Sequence, residues 1–394
     1  MKIVLVALLA IAVNWPFAGI GMSGMDDLAV LQGRNPRRSL TNLTYDFDPT
    51  LKTNIALHAA ASAAAAWAFS PVAGTLLAVH PMTVDAVHSV AGRSSLLCAL
   101  FVLLSAAMAM RKSWVACLAF GIVACLAKEE GIALVIIVPL IVGRVAFAPF
   151  ALAAALLLPA GIRAAGSGVI VPNLWMAGMP TPVGVWEYAA SYLSGIANHI
   201  GLNAAAPLWL SADPLITSAW WPLGLLMIIG LGRLALSRPA AALALGSVLI
   251  YLPAMLPDPI LEHRYYLFLI GASGLAASML PRSVAIALCG LLAVGTMHRA
   301  IAYQKPESLW ADADAKSNGA YRARINHAMV LAMNGNLNSA ERLYRTLPRT
   351  PFIRRQLATL QLARGDMAAA TRELDENNSQ RARRILYEEL ERYR

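Results

Sequence analysis

Apolar runs of about 10 to 20 residues recur along the first three-quarters of this chain, separated by short polar or basic connections. Apolar residues make up 58% of the sequence and charged residues 14%, against about 45–50% and about 25% in soluble globular chains. A soluble fold of this length could not hide so much apolar surface, so we expect lipid to solvate most of the chain. The runs lie at 3–21, 53–69, 71–80, 94–110, 114–127, 131–143, 145–162, 219–236, 239–256, 264–280 and 283–297.

The basic connections between these runs predict their orientation. Six basic residues share one side if the runs alternate across a bilayer: Arg111, Lys112, Arg144, Arg233, Arg238 and Arg282. Loops rich in Lys and Arg stay in the cytoplasm, so this side is the cytoplasmic one. Counting from a cytoplasmic N-terminus gives about eleven spans. We therefore expect a multi-pass protein of the inner (cytoplasmic) membrane whose C-terminal quarter is periplasmic.

Three features of the apolar part need separate interpretation. Residues 3–21 resemble a signal peptide, but no small-residue cleavage site follows and Trp15-Pro16 interrupts the run, which favours an uncleaved first span. Segment 185–205 would break the alternation as a twelfth span, so we predict an interfacial or re-entrant helix there. The four cysteines all lie inside apolar runs, which argues against a disulfide scaffold and a clustered zinc site.

The last quarter of the chain differs in composition and is repetitive. Residues 299–394 contain 17 Lys and Arg and 11 Asp and Glu, whereas the first 298 residues contain 15 and 11. A pattern of Ala328, Gly335, Ala340 and Tyr344 returns 30 residues later as Ala358, Gly365, Ala370 and Leu374. Such spacing is typical of tetratricopeptide repeats, with a generic helical hairpin as the alternative. We predict a membrane domain over 1–298 and a soluble, extracytoplasmic tetratricopeptide-like domain over 299–394, capped by a helix at 379–393. The net charge of +10 lies mostly in loops and in this tail, so it does not indicate a nucleic-acid partner.

Ionisable residues near the ends of apolar runs are candidates for chemistry, because such groups are costly at membrane depth. Asp26 and Asp27 follow the first run. Of two adjacent carboxylates, one can take a proton from an acceptor hydroxyl while the other orients it or raises its pKa. A solvated loop pair or a helix cap is the alternative interpretation.

A second cluster runs from His80 to Arg93 and brings Asp85, His88 and Arg93 within about two helical turns. Its histidines and Asp85 could ligate a metal, but their spacing matches no standard zinc pattern.

Two further clusters carry cations suited to holding a phosphate. One cluster contains Lys128, Glu129, Glu130 and Gly131, and the other contains Glu262, His263, Arg264, Tyr265 and Tyr266. Each cation could also be a snorkelling or interface-anchoring side chain. With the predicted topology, all four clusters fall on the outer side of the membrane.

The ordered motifs resemble those of the transmembrane and tetratricopeptide-repeat O-mannosyltransferases (TMTC family) and their bacterial relatives, within the GT-C class of glycosyltransferases. The resemblance covers nearly the whole chain through short motifs. Each stretch of this chain is followed here by the family's motif in parentheses: Asp26-Asp27 (D-D); Arg38 to Thr41 (R-P-L-T); Asn54 to Ala59 (N-x-L-L-H-A); His80 to Arg93 (H-P-x-x-x-E-x-V-x-x-x-x-G-R); Lys128-Glu129 (S-K-E); Pro207 to Asp213 (P-x-x-L-S-x-D); Glu262 to Tyr266 (E-R-Y-x-Y); and Leu309 to Asp312 (L-W-x-D). The chain departs from this pattern at Asp85, which replaces a Glu, and at His263, which is inserted before Arg264.

The resemblance implies an all-α, GT-C-like bundle and an inverting transfer of a sugar from a polyprenyl-phosphate donor, such as an undecaprenyl one, to a hydroxyl acceptor. Family analogy favours a protein Ser or Thr as acceptor, and a glycan stays open, as does the need for a divalent cation. The implied roles are general base for Asp26 with Asp27 as its partner; positioning of hydroxyls for Asp85 and Glu129; stabilisation of the phosphate leaving group for Lys128, Arg93 and Arg264; and secondary substrate contacts for His80, Glu262, His263 and Tyr265.

Two other functional classes fit parts of the sequence. A transporter or flippase of lipid-linked sugars would line its pathway with polar residues through the depth of the bundle. A non-enzymatic envelope-assembly factor would use the repeats to recruit a partner and the membrane part as an anchor.

Overall fold

The computed structural model of the chain describes residues 1–18, 39–142, 197, 200–201, 221–249, 265–316 and 321–374. Every regular element in these ranges is an α-helix or a 3-10 helix, which confirms the predicted all-α class for the described part of the chain. The helices before residue 143 are α1 (Lys2–Asn14), α2 (Ser39–Phe47), α3 (Leu51–Ala68), α4 (Pro71–Ala78), α5 (Val84–Val87), α6 (Arg93–Met110), α7 (Trp114–Ala127) and α8 (Leu134–Val142). Those after residue 220 are α9 (Trp221–Ala235), α10 (Pro239–Leu249), α11 (Tyr266–Met279), α12 (Arg282–Ala302), α13 (Pro306–Lys316), α14 (Tyr321–Met333), α15 (Leu337–Arg345), α16 (Pro351–Ala363) and α17 (Met367–Leu374).

Short sequence signals begin several of these helices. Ser70 and Thr350 each precede a proline, and their hydroxyl groups accept a hydrogen bond from a backbone N–H of the first turn. Proline fits the first helical position because its φ is already helical and its missing N–H would have no partner there. The same Ser/Thr-Pro pair therefore begins α4 in the apolar part and α16 in the charged part.

Helices lie at ten of the eleven apolar runs, and the run at 145–162 lies outside the described residues. By length and composition, two described helices could cross a bilayer: α6, whose apolar window is 72% buried inside the protein, and α12, whose window is only 33% buried. The shorter apolar helices, of 10 to 17 residues, are α1 with its 3-10 extension to Phe17, α7, α8 with the 3-10 residues before it from Glu130, α9, α10 and α11. Helix α4 has eight residues and is about 12 Å long, less than half of a bilayer core.

The chain after α4 stays inside the bundle up to the start of α6. Apart from His80, Asp85 and Ala91, every residue from 79 to 93 is buried. The segment contains a 3-10 turn (Pro81–Thr83) and α5. The sequence led us to expect a polar segment at the outer face, because its ionisable residues stand out. The apolar residues between them, such as Met82 and Val87, pack into the main core.

Close helix packing in the bundle depends on small residues. Helices α10 and α11 touch at Gly271, where an added Cβ would overlap the backbone of Ala240 and Ala244. Helix α3 contacts α1, α4 and α6, and helix α12 contacts α4 and the 3-10 turn that follows it. Segment 79–93 is thereby enclosed by the helices that carry the polar residues described below.

The four helices α14 to α17 form two hairpins at the positions of the two predicted repeats. Gly335 and Gly365 occupy the turns with φ of +80° and +81°, a conformation that a residue with a Cβ rarely adopts. The four repeat alanines are buried where the helices meet: Ala328, Ala340, Ala358 and Ala370.

The described chain divides into two compact units at Leu309, inside α13. We call the part up to Leu309 the helical bundle and the part from Trp310 the hairpin unit. Helix α12 runs unbroken from Arg282 to Ala302. The bundle therefore continues about ten residues beyond the domain boundary at 298 that composition suggests.

Candidate functional site

Polar side chains from distant parts of the sequence meet at one end of the helical bundle, which we call the polar end. The N-terminal ends of α3 and α6 lie there, where Arg93 Nε donates to Asn54 Oδ1 at 2.8 Å. The C-terminal ends of the same two helices meet at the opposite end, where the Arg111 guanidinium lies 3.7 Å from the Trp67 ring centroid. The residues of the polar end are Asn14, Asn54, His58, His80, Asp85, His88, Arg93, Lys128, Glu130, Tyr266, Arg299 and Tyr303.

Several of these polar side chains satisfy the irregular backbone of segment 79–93. Buried carbonyl groups outside a helix need hydrogen-bond donors, and side chains from neighbouring elements supply them. The bonds are Asn54 Nδ2 to Ser89 O at 2.7 Å, Tyr45 Oη to Val90 O at 2.6 Å, and Thr296 Oγ1 to Val79 O at 2.6 Å. Hydrogen bonding to the backbone therefore explains the polar residues at these positions without any role in catalysis or ligand binding.

His58 bridges α3 to two other helices. Its Nε2 lies 3.2 Å from the carbonyl oxygen of Ala78, and its Nδ1 lies 2.6 Å from Tyr266 Oη. A carbonyl oxygen can only accept, so Nε2 carries the proton, and Nδ1 accepts the hydroxyl hydrogen of Tyr266. His58 thus uses both ring nitrogens in packing α3 against α4 and α11.

Arg93 is fully buried, and its guanidinium binds the chain that leads from α2 into α3. In addition to Asn54, it donates to the carbonyl oxygens of Thr44, Asp48 and Thr50, and it lies 4.5 Å from the Tyr45 ring centroid. These contacts engage all three guanidinium nitrogens. The predicted role of Arg93 as a phosphate ligand therefore finds no support in this geometry, which is that of a structural cross-link.

The carboxyl group of Asp48 interacts electrostatically with the Arg93 guanidinium. Burial by itself would raise the pKa of its carboxyl group. Hydrogen bonds from Thr53 and Thr50, together with the nearby charge of Arg93, outweigh burial and lower that pKa from 3.8 to about 2. The turn before α3 is therefore held by an ionised carboxylate at neutral pH.

Lys128 forms a buried ion pair at the C-terminal end of α7. Its Nζ lies 2.6 Å from Glu130 Oε1 and donates to Ser95 Oγ at 2.8 Å. Only 2% of the Lys128 side chain and 10% of the Glu130 side chain are exposed. The predicted phosphate ligand Lys128 is thus paired with the carboxylate of Glu130, a member of its cluster to which the sequence interpretation gave no role. The side chain of Glu129, predicted to position hydroxyl groups, lies outside the described residues.

Asp85 and His80, two of the predicted substrate residues, lie on one wall of the polar end with Arg299 of α12 and with Tyr303, the residue that follows this helix. Tyr303 Oη donates to Asp85 Oδ1 at 3.1 Å, across 218 positions of sequence. The Arg299 guanidinium lies 5.9 Å from the Tyr303 ring centroid and interacts electrostatically with His80. Asp85 and His80 are also among the few partly exposed residues of segment 79–93. This wall therefore combines an accessible carboxylate, an imidazole, a phenol and a guanidinium.

His88 is fully buried and contacts α1 and its 3-10 extension. The Asn14 amide nitrogen donates to Ala10 O at 2.9 Å, so the Asn14 oxygen faces His88 and accepts from its Nε2 at 3.0 Å. Nδ1 then carries a lone pair, which makes no hydrogen bond to the described residues. Phe17 packs edge-on against the ring, with 6.0 Å between ring centroids.

Several predicted site residues cannot be related to this geometry. Asp26, Asp27, Glu262, His263 and Arg264 lie outside the described residues, as does most of segment 185–205 and the predicted cap at 379–393. Tyr265 is described: it is buried and packs edge-on against Phe268 with 6.5 Å between ring centroids. Of the predicted substrate residues, the structure places His80 and Asp85 on one wall of the polar end, and Arg93 and Lys128 in separate contacts at the same end.

The sequence interpretation missed Arg299 and Tyr303, and it gave Glu130 no role although it placed Glu130 in the cluster with Lys128. Arg299 follows the last apolar run and was counted with the charged tail, although the spacing of Thr296, Arg299 and Tyr303 puts them on one face of a helix. If the predicted helix had been extended beyond residue 297 to include these residues, this face would have been assigned to the bundle.

No group of three or more His, Cys, Asp or Glu side chains positioned to hold a metal ion is found among the described residues. Comparison of the chain with protein-family models, curated proteins and solved structures gives no match.

Proposed function

We propose that the protein is a membrane glycosyltransferase of the GT-C type. It transfers a sugar from a polyprenyl-phosphate carrier to a hydroxyl acceptor on the periplasmic side, with inversion at the anomeric carbon. The observation that carries this proposal is the wall formed by Asp85, His80, Arg299 and Tyr303 at one end of an otherwise apolar bundle. Its two partly exposed members, Asp85 and His80, can contact a charged and hydroxylated ligand at the level where a lipid head group would lie.

A bilayer setting is supported by the apolar surface of the bundle. Large apolar side chains are exposed on several helices, and on α12 they include Val284, Ile286, Leu291, Val294 and Ile301. Exposed apolar surface on this scale is typical of lipid or protein contact. Close helix approach at small residues such as Gly271 is also frequent between membrane helices. We propose about eleven spans with a cytoplasmic N-terminus, since the basic Arg111 end lies opposite to the polar end.

The hairpin unit is proposed to be a pair of tetratricopeptide-like repeats on the periplasmic side. Its support is the 30-residue period, the two left-handed glycines and the buried alanines at equivalent positions. In this proposal it contributes to acceptor choice and not to the chemical step.

The proposed reaction is a single displacement. A carboxylate, for which we propose Asp26 with Asp27 as its partner, removes the proton from the acceptor hydroxyl. The oxygen attacks the anomeric carbon from the face opposite to the carrier, and the bond from that carbon to the phosphate oxygen breaks. The electron pair leaves with the polyprenyl phosphate, whose negative charge cations stabilise. Asp85, held by Tyr303, accepts hydrogen bonds from sugar or acceptor hydroxyl groups.

Transfer from a panel of radiolabelled polyprenyl-phosphate sugars, with and without EDTA, tests this proposal and the need for a divalent cation. Asp26→Asn should lower transfer by about 100-fold or more, because a positioned base contributes about 10²–10⁴-fold. Asp85→Asn should raise KM or lower kcat, and Asp366→Asn in the hairpin unit is the matched control. Full transfer activity of the Asp26→Asn protein would remove Asp26 from this role.

The buried charges favour the enzyme over a transporter. A pathway through the bundle predicts ionisable groups along its depth, whereas the buried Lys, Arg, Asp, Glu and His side chains described in the bundle gather at the polar end: His58, His88, Arg93, Lys128, Glu130 and Arg299. Export of labelled carrier into vesicles without transfer to an acceptor would favour the transporter instead.

A further inference from the structure

The turn between α6 and α7 contains Lys112, the one residue other than glycine that has a positive φ in the described part of the chain. Two backbone hydrogen bonds close this turn: Lys112 N donates to Ala109 O at 2.9 Å, and Ser113 N donates to Met108 O at 3.0 Å. This pair of bonds is the Schellman motif, whose left-handed residue is usually glycine because a Cβ is strained there. The φ of +58° at Lys112 therefore carries a backbone cost that glycine would avoid.

The same motif ends α14 and α16, and in both the left-handed residue is glycine. Gly335 and Gly365 occupy the position of Lys112, with φ of +80° and +81°. In all three turns, the N–H of the left-handed residue donates to the carbonyl oxygen three residues earlier, and the next N–H donates to the one five residues earlier. The geometry of the turn therefore does not select lysine at position 112, and its charge is the property that glycine lacks.

The surroundings of this lysine are basic and aromatic. Lys112 and Arg111 are both exposed. The Arg111 guanidinium lies over the Trp67 ring, 3.7 Å from its centroid, and Nη1 donates to Ala107 O at 3.0 Å. Trp67 is 39% exposed, and Trp114, the first residue of α7, is 37% exposed. Half-exposed tryptophans beside basic residues are typical of the level where the apolar and polar parts of a bilayer meet.

We propose that the turn between α6 and α7 binds the phosphate group of an anionic phospholipid through Arg111 and Lys112. In this proposal the rings of Trp67 and Trp114 lie against the upper acyl chains of the same lipid layer. The inference goes beyond the proposed transfer reaction and rests only on the proposed bilayer setting, in which this end of the bundle faces the cytoplasm.

The distribution of charge supports this ligand. Residues 86–128 contain no Asp or Glu, so no carboxylate lies near the two cations in the sequence. The Arg111 guanidinium is held by its contacts with Trp67 and Ala107 O, and its exposed N–H groups can donate to phosphate oxygens. Lys112 adds a second positive charge one residue away. Anionic lipids attract basic residues next to a membrane helix by about 1 kcal/mol for each charge, the equivalent of about fivefold in affinity.

Lipid preference of the purified full-length protein tests the inference. The protein is released from nanodiscs of equal phosphatidylglycerol and phosphatidylcholine, and native mass spectrometry measures the affinity ratio of the two lipids at the tightest site. Lys112→Gln should lower this preference for phosphatidylglycerol about fivefold. Lys52→Gln is the matched control, because Lys52 is an exposed lysine at the opposite end of the bundle, and it should leave the ratio unchanged.

Lys112→Gly separates the charge from the backbone conformation. In phosphatidylcholine nanodiscs it should raise the melting temperature by about 1–3 °C, because glycine adopts a positive φ without strain. In phosphatidylglycerol nanodiscs this advantage over the wild-type protein should disappear, since the variant loses a contact with the lipid. Lys112→Arg keeps both the Cβ and the charge, so it should behave as the wild-type protein does in both lipids.

Three results would overturn the inference. The first is an unchanged lipid preference in Lys112→Gln, or an equal loss in Lys52→Gln. The second is a Lys112→Gly protein that is no more stable than wild type in phosphatidylcholine, which would mean that the lysine stabilises the end of α6 through the helix dipole. The third is equal stabilisation of the wild-type protein by inorganic phosphate in phosphatidylcholine, which would make free phosphate the ligand. None of these results bears on sugar transfer, so the proposed function stands or fails separately.

Discussion

Charged side chains are held in opposite ways in the helical bundle and in the hairpin unit. In the bundle, Arg93 is buried and donates to backbone carbonyl oxygens of the chain that precedes α3. In the hairpin unit, Arg345 and Arg364 stay partly exposed and share the carboxylate of Glu341. The same residue type therefore fixes the path of the chain in one unit and adds surface contacts between helices in the other.

The two units should therefore differ in how far the free energy of unfolding falls when a charged group loses its hydrogen-bond or ion-pair partner. A buried polar group left without a hydrogen bond costs about 1–3 kcal/mol, because water cannot replace the partner. An exposed ion pair contributes about 0–1 kcal/mol, because water and salt replace it at once. Substitutions in the two units should accordingly differ severalfold in their effect on the free energy of unfolding.

The largest effect is expected for Arg93→Met. It leaves several buried carbonyl oxygens and the Asn54 amide oxygen without their donor, so we expect the free energy of unfolding to fall by at least about 5 kcal/mol. Thermal unfolding of detergent-solubilised protein, followed by size-exclusion chromatography, measures the change. Arg111→Met is the matched control, because that guanidinium lies exposed on Trp67. Equal stability of the two variants would remove the structural role of Arg93.

The buried ion pair is expected to give the next largest effect. Glu130→Gln leaves the Lys128 ammonium buried without its counter-charge, which should cost about 3–5 kcal/mol. The double variant Lys128→Met, Glu130→Gln should recover most of that loss, since an apolar side chain needs no partner. Denaturant unfolding of the single and double variants completes the cycle. Additive losses would mean that the two charges do not stabilise each other.

Much of the architecture was predictable from sequence because it follows from periodicity. The apolar runs predicted helices at positions where α1, α3, α6, α7, α11 and α12 are found, and the period of 30 predicted the two hairpins. Such patterns are local, because residues on one face of a helix share the need for an apolar or small side chain and recur at a fixed spacing.

The site was less predictable because its partners are far apart in sequence. Nothing near Asp85 indicates that Tyr303 will donate to it, and nothing near Lys128 decides between Glu129 and Glu130 as its partner. Arg93 stood out as a charge in an apolar context, which predicts either a ligand site or a buried structural bond. Only the positions of the Thr44 and Thr50 carbonyl groups favour the latter.

The effect of pH on stability tests the role of Asp48, whose carboxyl group interacts electrostatically with Arg93. Its pKa is lowered in the folded protein to about 2, from 3.8, so its stabilising effect is complete above pH 3.8 and is lost as the pH falls through 2. We expect the melting temperature to fall in this window, by less than in the ion-pair variant, because the carboxyl group is partly solvated. Asp48→Asn should flatten the profile. An equally steep fall in that variant would assign the acid sensitivity to other groups.

In the hairpin unit, the glycine turns should be more sensitive than the surface charges. Gly335→Ala places a Cβ at φ of +80° and should cost about 1 kcal/mol. Hydrogen exchange of amides in 321–374 of the full-length protein measures this loss locally. Gly335→Asn is the control, since Asn tolerates the left-handed conformation better than Ala. A larger loss for Asn than for Ala would show that the conformation of this turn is not what selects glycine.

The smallest effect is expected for the charge network of the hairpin unit. Glu341 accepts hydrogen bonds from Arg345 and Arg364, which lower the pKa of its carboxyl group and link α15 to α16. Glu341→Gln should lower the free energy of unfolding by about 0.5–1 kcal/mol at low salt, and by less in 1 M NaCl, because salt screens exposed charges. Hydrogen exchange of the same amides at both salt concentrations checks this. A loss as large as that of Glu130→Gln, or one independent of salt, would mean that the two units hold their charges in the same way.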